Sequence, residues 1–177
     1  MTTDAYWIAK ILFEDPSVRA GFVVGCLVLA PLSGWAARRR SWSGGRALAA
    51  GLAGVGLSGM FAVTLARWIE FHPDFRWRGC TTGSGLTVTD GEALLNVLVL
   101  MPAAFFAMLA VQRFLVVAVA ATLVTVAVET VQSLASLGTC QTSDVVRNSG
   151  GALVAAAVAA CLLGLASVGR RLRPAAR

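Results

Sequence analysis

The placement of charge constrains this chain more than any other feature. No charged residue lies between Arg19 and Arg38, between Arg46 and Arg67, or between Glu92 and Arg113. The run from Phe114 to Ser143 holds one charge, Glu129, and the run from Asn148 to Gly169 holds none. A helix needs roughly 20 predominantly apolar residues to cross the hydrocarbon core of a bilayer. The runs therefore predict five spans, near 20–37, 47–66, 93–111, 114–136 and 148–169. Helix is the required form, because lipid offers no partners to backbone N–H and C=O groups. The alternation that marks a transmembrane β-barrel is missing.

Composition points the same way. Hydrophobic residues make up 57% of the 177 and charged residues 14%, against about 25% charged in a soluble domain. Such a chain cannot cover a water-facing surface. An ordinary soluble enzyme, a disordered tail and a conventional nucleic-acid-binding domain are excluded. The expected fold class is an all-α integral membrane protein, a single membrane domain over 1–177. Its first partner is the lipid bilayer, and no nucleic acid and no cofactor are expected.

The net charge of +6 is then a matter of topology. With five spans, Arg38, Arg39, Arg40, Arg46, Arg113, Arg170, Arg171, Arg173 and Arg177 share one side with no acidic residue. The other side takes Lys10, Arg19, Arg67, Arg76, Arg78, Arg147 and all nine acids. The excess of basic residues marks the cytoplasmic face. This predicts an outside N-terminus and a basic cytoplasmic tail at 170–177, suited to anionic lipid, in a bacterial plasma membrane. Residues 1–19 lie outside. Asp4, Glu14 and Asp15 interrupt them, so no signal peptide is expected. Tyr6, Trp7, Ile8, Ile11, Leu12 and Phe13 suit either a leader or a short interfacial helix.

Small residues recur at four-residue spacing. Gly21 and Gly25 do so in the first span, Ala50, Gly54, Ser58 and Ala62 in the second, and Gly151, Ala155 and Ala159 in the fifth. Small residues let helix backbones approach closely, and contact within the chain is the expected use. Pro31 and Pro102 are candidate kinks. Cys26 and Cys161 fall inside spans and suit apolar filler. Cys80 and Cys140 fall in outside loops, where an oxidising compartment permits a disulfide. A metal site from His72, Cys80 and Cys140 lacks paired-ligand spacing, and no metal is expected.

Glu129 is the most informative residue. An acid at the centre of a membrane helix costs about 2.5–3.5 kcal/mol on insertion scales. Glu129 lies about 22 Å from the start of its span at 1.5 Å per residue, in the outer third, within reach of water or headgroups. Gln132 follows one turn on. Asp144, Arg147 and Asn148 enter the fifth span at the same level, and Asn96 enters the third. Asp144 stands where a carboxylate can accept backbone N–H bonds at a helix start. Asn96, Glu129, Gln132, Asp144, Arg147 and Asn148 form a candidate outward-facing pocket. The competing structural reading is an interhelical network, Glu129 with Arg147 included, that only fixes packing. Such bonds average about 0.6 kcal/mol in membranes.

These residues resemble the motifs of the VanZ-like family of small polytopic bacterial membrane proteins. Its first block reads roughly N-x-x-x-F-x-P-x-G. This chain has Asn96 and Pro102 in place, with Leu100 and Ala104 instead of the aromatic and the glycine. The second block reads roughly E-x-x-Q, a short loop, then D-x-x-x-N-x-x-G. Glu129, Gln132, Asp144, Asn148 and Gly151 match it at the right spacing. The resemblance covers about 92–160. The basic residue and extra acid usual before the final Asp are absent, as is the K-x-x-H motif after the first span. The resemblance implies a link to glycopeptide resistance of the teicoplanin type, which is attached to the family's namesake. It supplies no mechanism.

Three functions compete at this stage. The first is a cell-envelope accessory protein whose pocket holds a lipid headgroup, a lipid-linked wall precursor or the tail of a glycopeptide antibiotic. The second is an enzyme acting on an envelope lipid, with Glu129 and Asp144 as acid and base or as ligands of a hard cation. It is the weaker reading, since no nucleophilic Ser or Cys stands beside a His. The third is a scaffold for another membrane protein. A transporter is disfavoured by the lack of inverted repeats.

Overall fold

The first membrane-spanning helix among the described residues begins where the chain supplies a cap. In the computed structural model, which describes residue 10 and residues 13–66, 79–82, 91–135 and 140–172, Asp15 is extended. Its carboxylate accepts from the Ser17 N–H at 2.8 Å and from the Ser17 hydroxyl at 2.6 Å. Pro16 follows at the first helical position, where its missing N–H is harmless. The hydroxyl bond first, and then the amide bond, hold the Asp15 carboxyl below the usual carboxylate range. Helix α1 therefore runs Pro16–Arg39 and starts before the predicted span. Val18 is fully buried, and Arg19 lies inside the helix, donating to the Glu14 carbonyl at 3.2 Å. Most of the proposed N-terminal leader lies outside the described residues.

Five helices follow among the described residues: α2 (Gly44–Leu65), α3 (Gly91–Val99), α4 (Met101–Val111), α5 (Phe114–Ala135) and α6 (Thr142–Leu172). Among the described residues, five helical segments are long and apolar enough to cross a membrane, α3 and α4 together making the third, Gly91–Val111. The protein is a multi-pass membrane protein. Pro102 explains the division of the third span. It has no N–H to return to the carbonyl four residues back, and the helix breaks at Leu100. Pro31, by contrast, sits within an unbroken α1. Gln112, left-handed at φ 59°, closes α4 by donating to the Met108 carbonyl at 2.9 Å. Helix α6 starts six residues before the predicted 148, so Asp144, Arg147 and Asn148 are all helical.

Packing runs in a chain of neighbours. Helix α1 lies along α2, α2 along α4, α3 and α4 along α6, and α6 along α5. The main core is made of small and flexible side chains: Met60, Leu100, Ala104, Met108, Ala152, Ala156 and Ala159 among others. Valines and leucines such as Val23, Leu27, Leu115, Leu123 and Leu165 point outward, as lipid allows. The small-residue faces meet one another within the chain. Gly25 faces Ser58, and Gly54 lies against the Leu29–Ala30 backbone. Gly151 carries the closest approach, because a Cβ there would overlap the carbonyl oxygen of Val97 on α3.

This contact generates a direct test. Gly151→Ala must push α6 away from α3, and overpacking of this kind costs about 1–3 kcal/mol. Thermal unfolding of the purified chain in detergent is expected to show a lowered midpoint. Gly150→Ala is the neutral neighbour, since a Cβ there meets nothing within 4 Å.

Candidate functional site

The first N–H groups of any helix have no intrahelical acceptor, and α6 starts at the end of the bundle that carries the polar motif. Its start is closed from two directions. Glu129, only 6% exposed on α5, accepts the Gln141 N–H on its Oε2 at 3.1 Å. The Thr142 N–H donates to the Thr81 carbonyl at 3.1 Å, and the Thr81 N–H donates to the Cys140 carbonyl at 3.0 Å. The Thr81 hydroxyl adds a bond to the same Cys140 carbonyl at 3.3 Å. Residues 79–82 thus lie across the start of α6. Gly79 turns them with φ +75°, a backbone that glycine adopts freely. A Cys80–Cys140 disulfide, with Cα atoms 4.6 Å apart, locks them down. Cys80 is exposed and Cys140 buried. Cys26 and Cys161 remain free thiols. His72 lies outside the described residues.

Among the described residues, the six polar residues named from sequence differ in the partners they take. Glu129 turns inward to the backbone of α6 rather than outward to water. Gln132, one turn along, points to α2, where its Nε2 donates to the Thr64 carbonyl at 3.0 Å. That carbonyl belongs to the last turn of α2 and has no acceptor role within the helix. Arg147 pairs with Asp144, at 3.1 Å between Nη1 and Oδ1, and not with Glu129. Asp144 sits in the first turn of α6, where the helix dipole favours a carboxylate, and its carboxylate is taken up by the Arg147 side chain. Asn148 is 6% exposed, and neither its Oδ1 nor the Oγ of buried Ser133 has a hydrogen-bond partner among the described residues. Asn96 is half-buried on α3.

Among the described residues the structure forms a shallow groove of about 240 Å³. Val97 and Met101 line it from either side of the helix break, and Val146, Arg147, Gly150, Gly151 and Val154 line it from α6. Arg147 stands at its polar end. The groove then follows α6 for seven residues to Val154, about 10 Å at 1.5 Å per residue. The walls are apolar apart from the guanidinium. Sequence reasoning named Arg147 and Gly151 but missed Val97, Met101 and Gly150. The signal was the pairing of a proline break with a double glycine, which matters only once α3 and α6 are known to be neighbours. Among the described residues, no group of three or more His, Cys, Asp or Glu side chains is placed to hold a metal ion.

A family model described as VanZ/LLP1 matches residues 22–163. This chain belongs to the VanZ-like family. The match begins inside α1 and takes in α2, so what the chain shares with the VanZ-like proteins is wider than the motif blocks over 92–160. No curated protein and no solved structure gives a significant match. Within this VanZ-like chain the five residues of the second motif block have separable structural work. Glu129 and Gln132 satisfy the backbone ends of α6 and α2, Asp144 holds Arg147, Asn148 is buried in the bundle, and Gly151 permits the α3–α6 contact.

Two outcomes follow from this arrangement. Glu129→Ala removes the acceptor of the Gln141 N–H in a buried position and is expected to cost about 1–3 kcal/mol. Glu129→Gln keeps an acceptor oxygen and is expected to lose much less, both read from unfolding midpoints in detergent. Reduction of the disulfide, or Cys80→Ser with Cys140→Ser, is expected to cost about 2–4 kcal/mol. Limited proteolysis between residues 79 and 91 should accelerate in parallel, and unchanged stability on reduction would show that residues 79–82 do not hold α6.

Proposed function

We propose that this VanZ-like protein is a cell-envelope accessory protein that binds a phosphate-bearing lipid at the Arg147 groove, on the side of the membrane away from the cytoplasm. The single observation that carries the reading is the groove itself. It joins one guanidinium at the end of the bundle to an apolar channel between a broken helix and a double glycine. A guanidinium presents its N–H donors in a planar fork that matches phosphate geometry. The apolar walls suit an acyl or isoprenoid chain descending from that phosphate. A membrane phospholipid, a lipid-linked wall precursor and the acyl tail of a lipoglycopeptide all have this general form. The teicoplanin phenotype attached to the family's namesake fits the same end of the molecule.

The orientation in this proposal has two independent supports. A disulfide persists in an oxidising compartment, and Cys80–Cys140 lies at the Arg147 end. The opposite end carries Arg38, Arg39, Arg40, Arg46 and Arg113 with no acidic residue in those connections, as expected of the cytoplasmic face.

The test is genetic and biochemical together. The gene is deleted from its host and complemented with wild type, Arg147→Gln or Gly150→Leu, with membrane abundance measured alongside. Wild type is expected to restore teicoplanin tolerance and to co-purify with a phosphate-bearing lipid detectable by mass spectrometry. Both variants, equally abundant, are expected to lose the lipid and the tolerance. Retention of the lipid by both would remove the groove from the function.

A further inference from the structure

The end of the bundle opposite the VanZ motif carries a second arrangement of charge. Arg46, in the first turn of α2, reaches across to α4 and donates its Nε to the Ala110 carbonyl at 2.7 Å. Its guanidinium carbon stands 4.4 Å from the centre of the Trp42 ring. The guanidinium of Arg40 stands 6.0 Å from the centre of the same ring. Trp42 is itself held in place, since its backbone N–H donates to the Ala37 carbonyl at 3.1 Å. Its side chain packs on Ala37, Ala47 and Ala110 or their neighbours in one buried cluster. The turn that presents it passes through Ser41 in the left-handed region at φ 55°.

Two cations on one indole repel each other. Arg46 is compensated by the carbonyl end of α4, where the helix dipole is negative. Arg40 is exposed, and among the described residues it forms no ion pair. The nearby connections, 40–43 and 112–113, contain no acidic residue at all. Among the described residues, the cluster therefore carries positive charge with no carboxylate paired to it. Indole stacking removes much of the rotamer freedom that an arginine otherwise loses on binding, and the guanidinium fork matches phosphate geometry.

We propose that Arg40, Arg46 and Trp42 form a binding site for the phosphate of an anionic lipid headgroup in the leaflet at this end. The lipid source, rather than a dissolved anion, is favoured by the level of the site. Leu32 and Trp35, on the last turns of α1, are 54% and 55% exposed, which is the boundary pattern of an apolar face giving way to an interfacial tryptophan. Arg39 lies 5.0 Å from the centre of that Trp35 ring, at the same level. This site is independent of the Arg147 groove and stands or falls separately from it.

The experiment uses the purified full chain in detergent, titrated with short-chain phosphatidylglycerol, short-chain phosphatidylcholine and inorganic phosphate, and read by native mass spectrometry. Arg40→Gln is the test variant, because the exposed Arg40 side chain holds no backbone and its loss leaves the fold intact. Arg38→Gln is the charge-matched control, exposed on the last turn of α1 with no ring contact. Wild type is expected to prefer phosphatidylglycerol over both other ligands by about tenfold, or about one decade in Kd. Arg40→Gln is expected to lose most of that preference, and Arg38→Gln to change it less than about twofold. Equal losses in the two variants would mean diffuse charge and overturn the site. Equal affinity for phosphatidylcholine, or for inorganic phosphate, would overturn the anionic-lipid assignment.

Discussion

Every helix that ends in or near a bilayer leaves four N–H groups at its start and four carbonyls at its finish without partners, and lipid supplies none. This protein answers that constraint with side chains borrowed from distant helices. Glu129 on α5 takes the Gln141 N–H at the start of α6. Gln132 on the same helix reaches the Thr64 carbonyl at the end of α2. Arg46 on α2 reaches the Ala110 carbonyl at the end of α4. Each bond crosses from one helix to another and joins residues 12, 68 and 64 positions apart in the chain. The same bonds therefore satisfy the backbone and fix which helices are neighbours.

The lateral packing is the complement of this. Between apolar side chains and lipid tails there is little hydrophobic preference, so helices associate through close contact and dispersion. Gly54 against α1 and Gly151 against α3 provide that contact, and α6 turns an alanine face to the core. The proline break at Leu100 and the Gly150–Gly151 pair leave a gap in this packing, and Arg147 stands at its edge. The proposed lipid site is thus a by-product of how α3, α4 and α6 fit, with one charged group placed where the gap opens.

The VanZ motif looks different once each member is seen in place. A glutamate and a glutamine three residues apart read as a shared polar face, and an acid in an apolar helix reads as a functional group by default. In the structure the pair diverges, Glu129 toward α6 and Gln132 toward α2. An arginine that sequence spacing offered as a partner for Glu129 belongs to Asp144, one turn away on its own helix. These residues hold the bundle together at the end where a ligand is proposed to bind.

Much of this was legible in the residues alone. Charge-free runs set the number of spans, because no other arrangement lets so apolar a chain satisfy its backbone. The spacing of Glu129, Gln132, Asp144, Asn148 and Gly151 carried the family. The loop positions of Cys80 and Cys140 put both at one end of the bundle, where the structure joins them. What periodicity could not show was direction. Where a side chain points among several neighbours depends on which helices adjoin, and that order arises from long-range contacts a local pattern does not contain. The Arg147 groove, the Thr81 strap over α6 and the Arg40–Trp42–Arg46 cluster exist only because α3 lies on α6, residues 79–82 return to Cys140, and the turn at Ser41 brings two arginines to one ring.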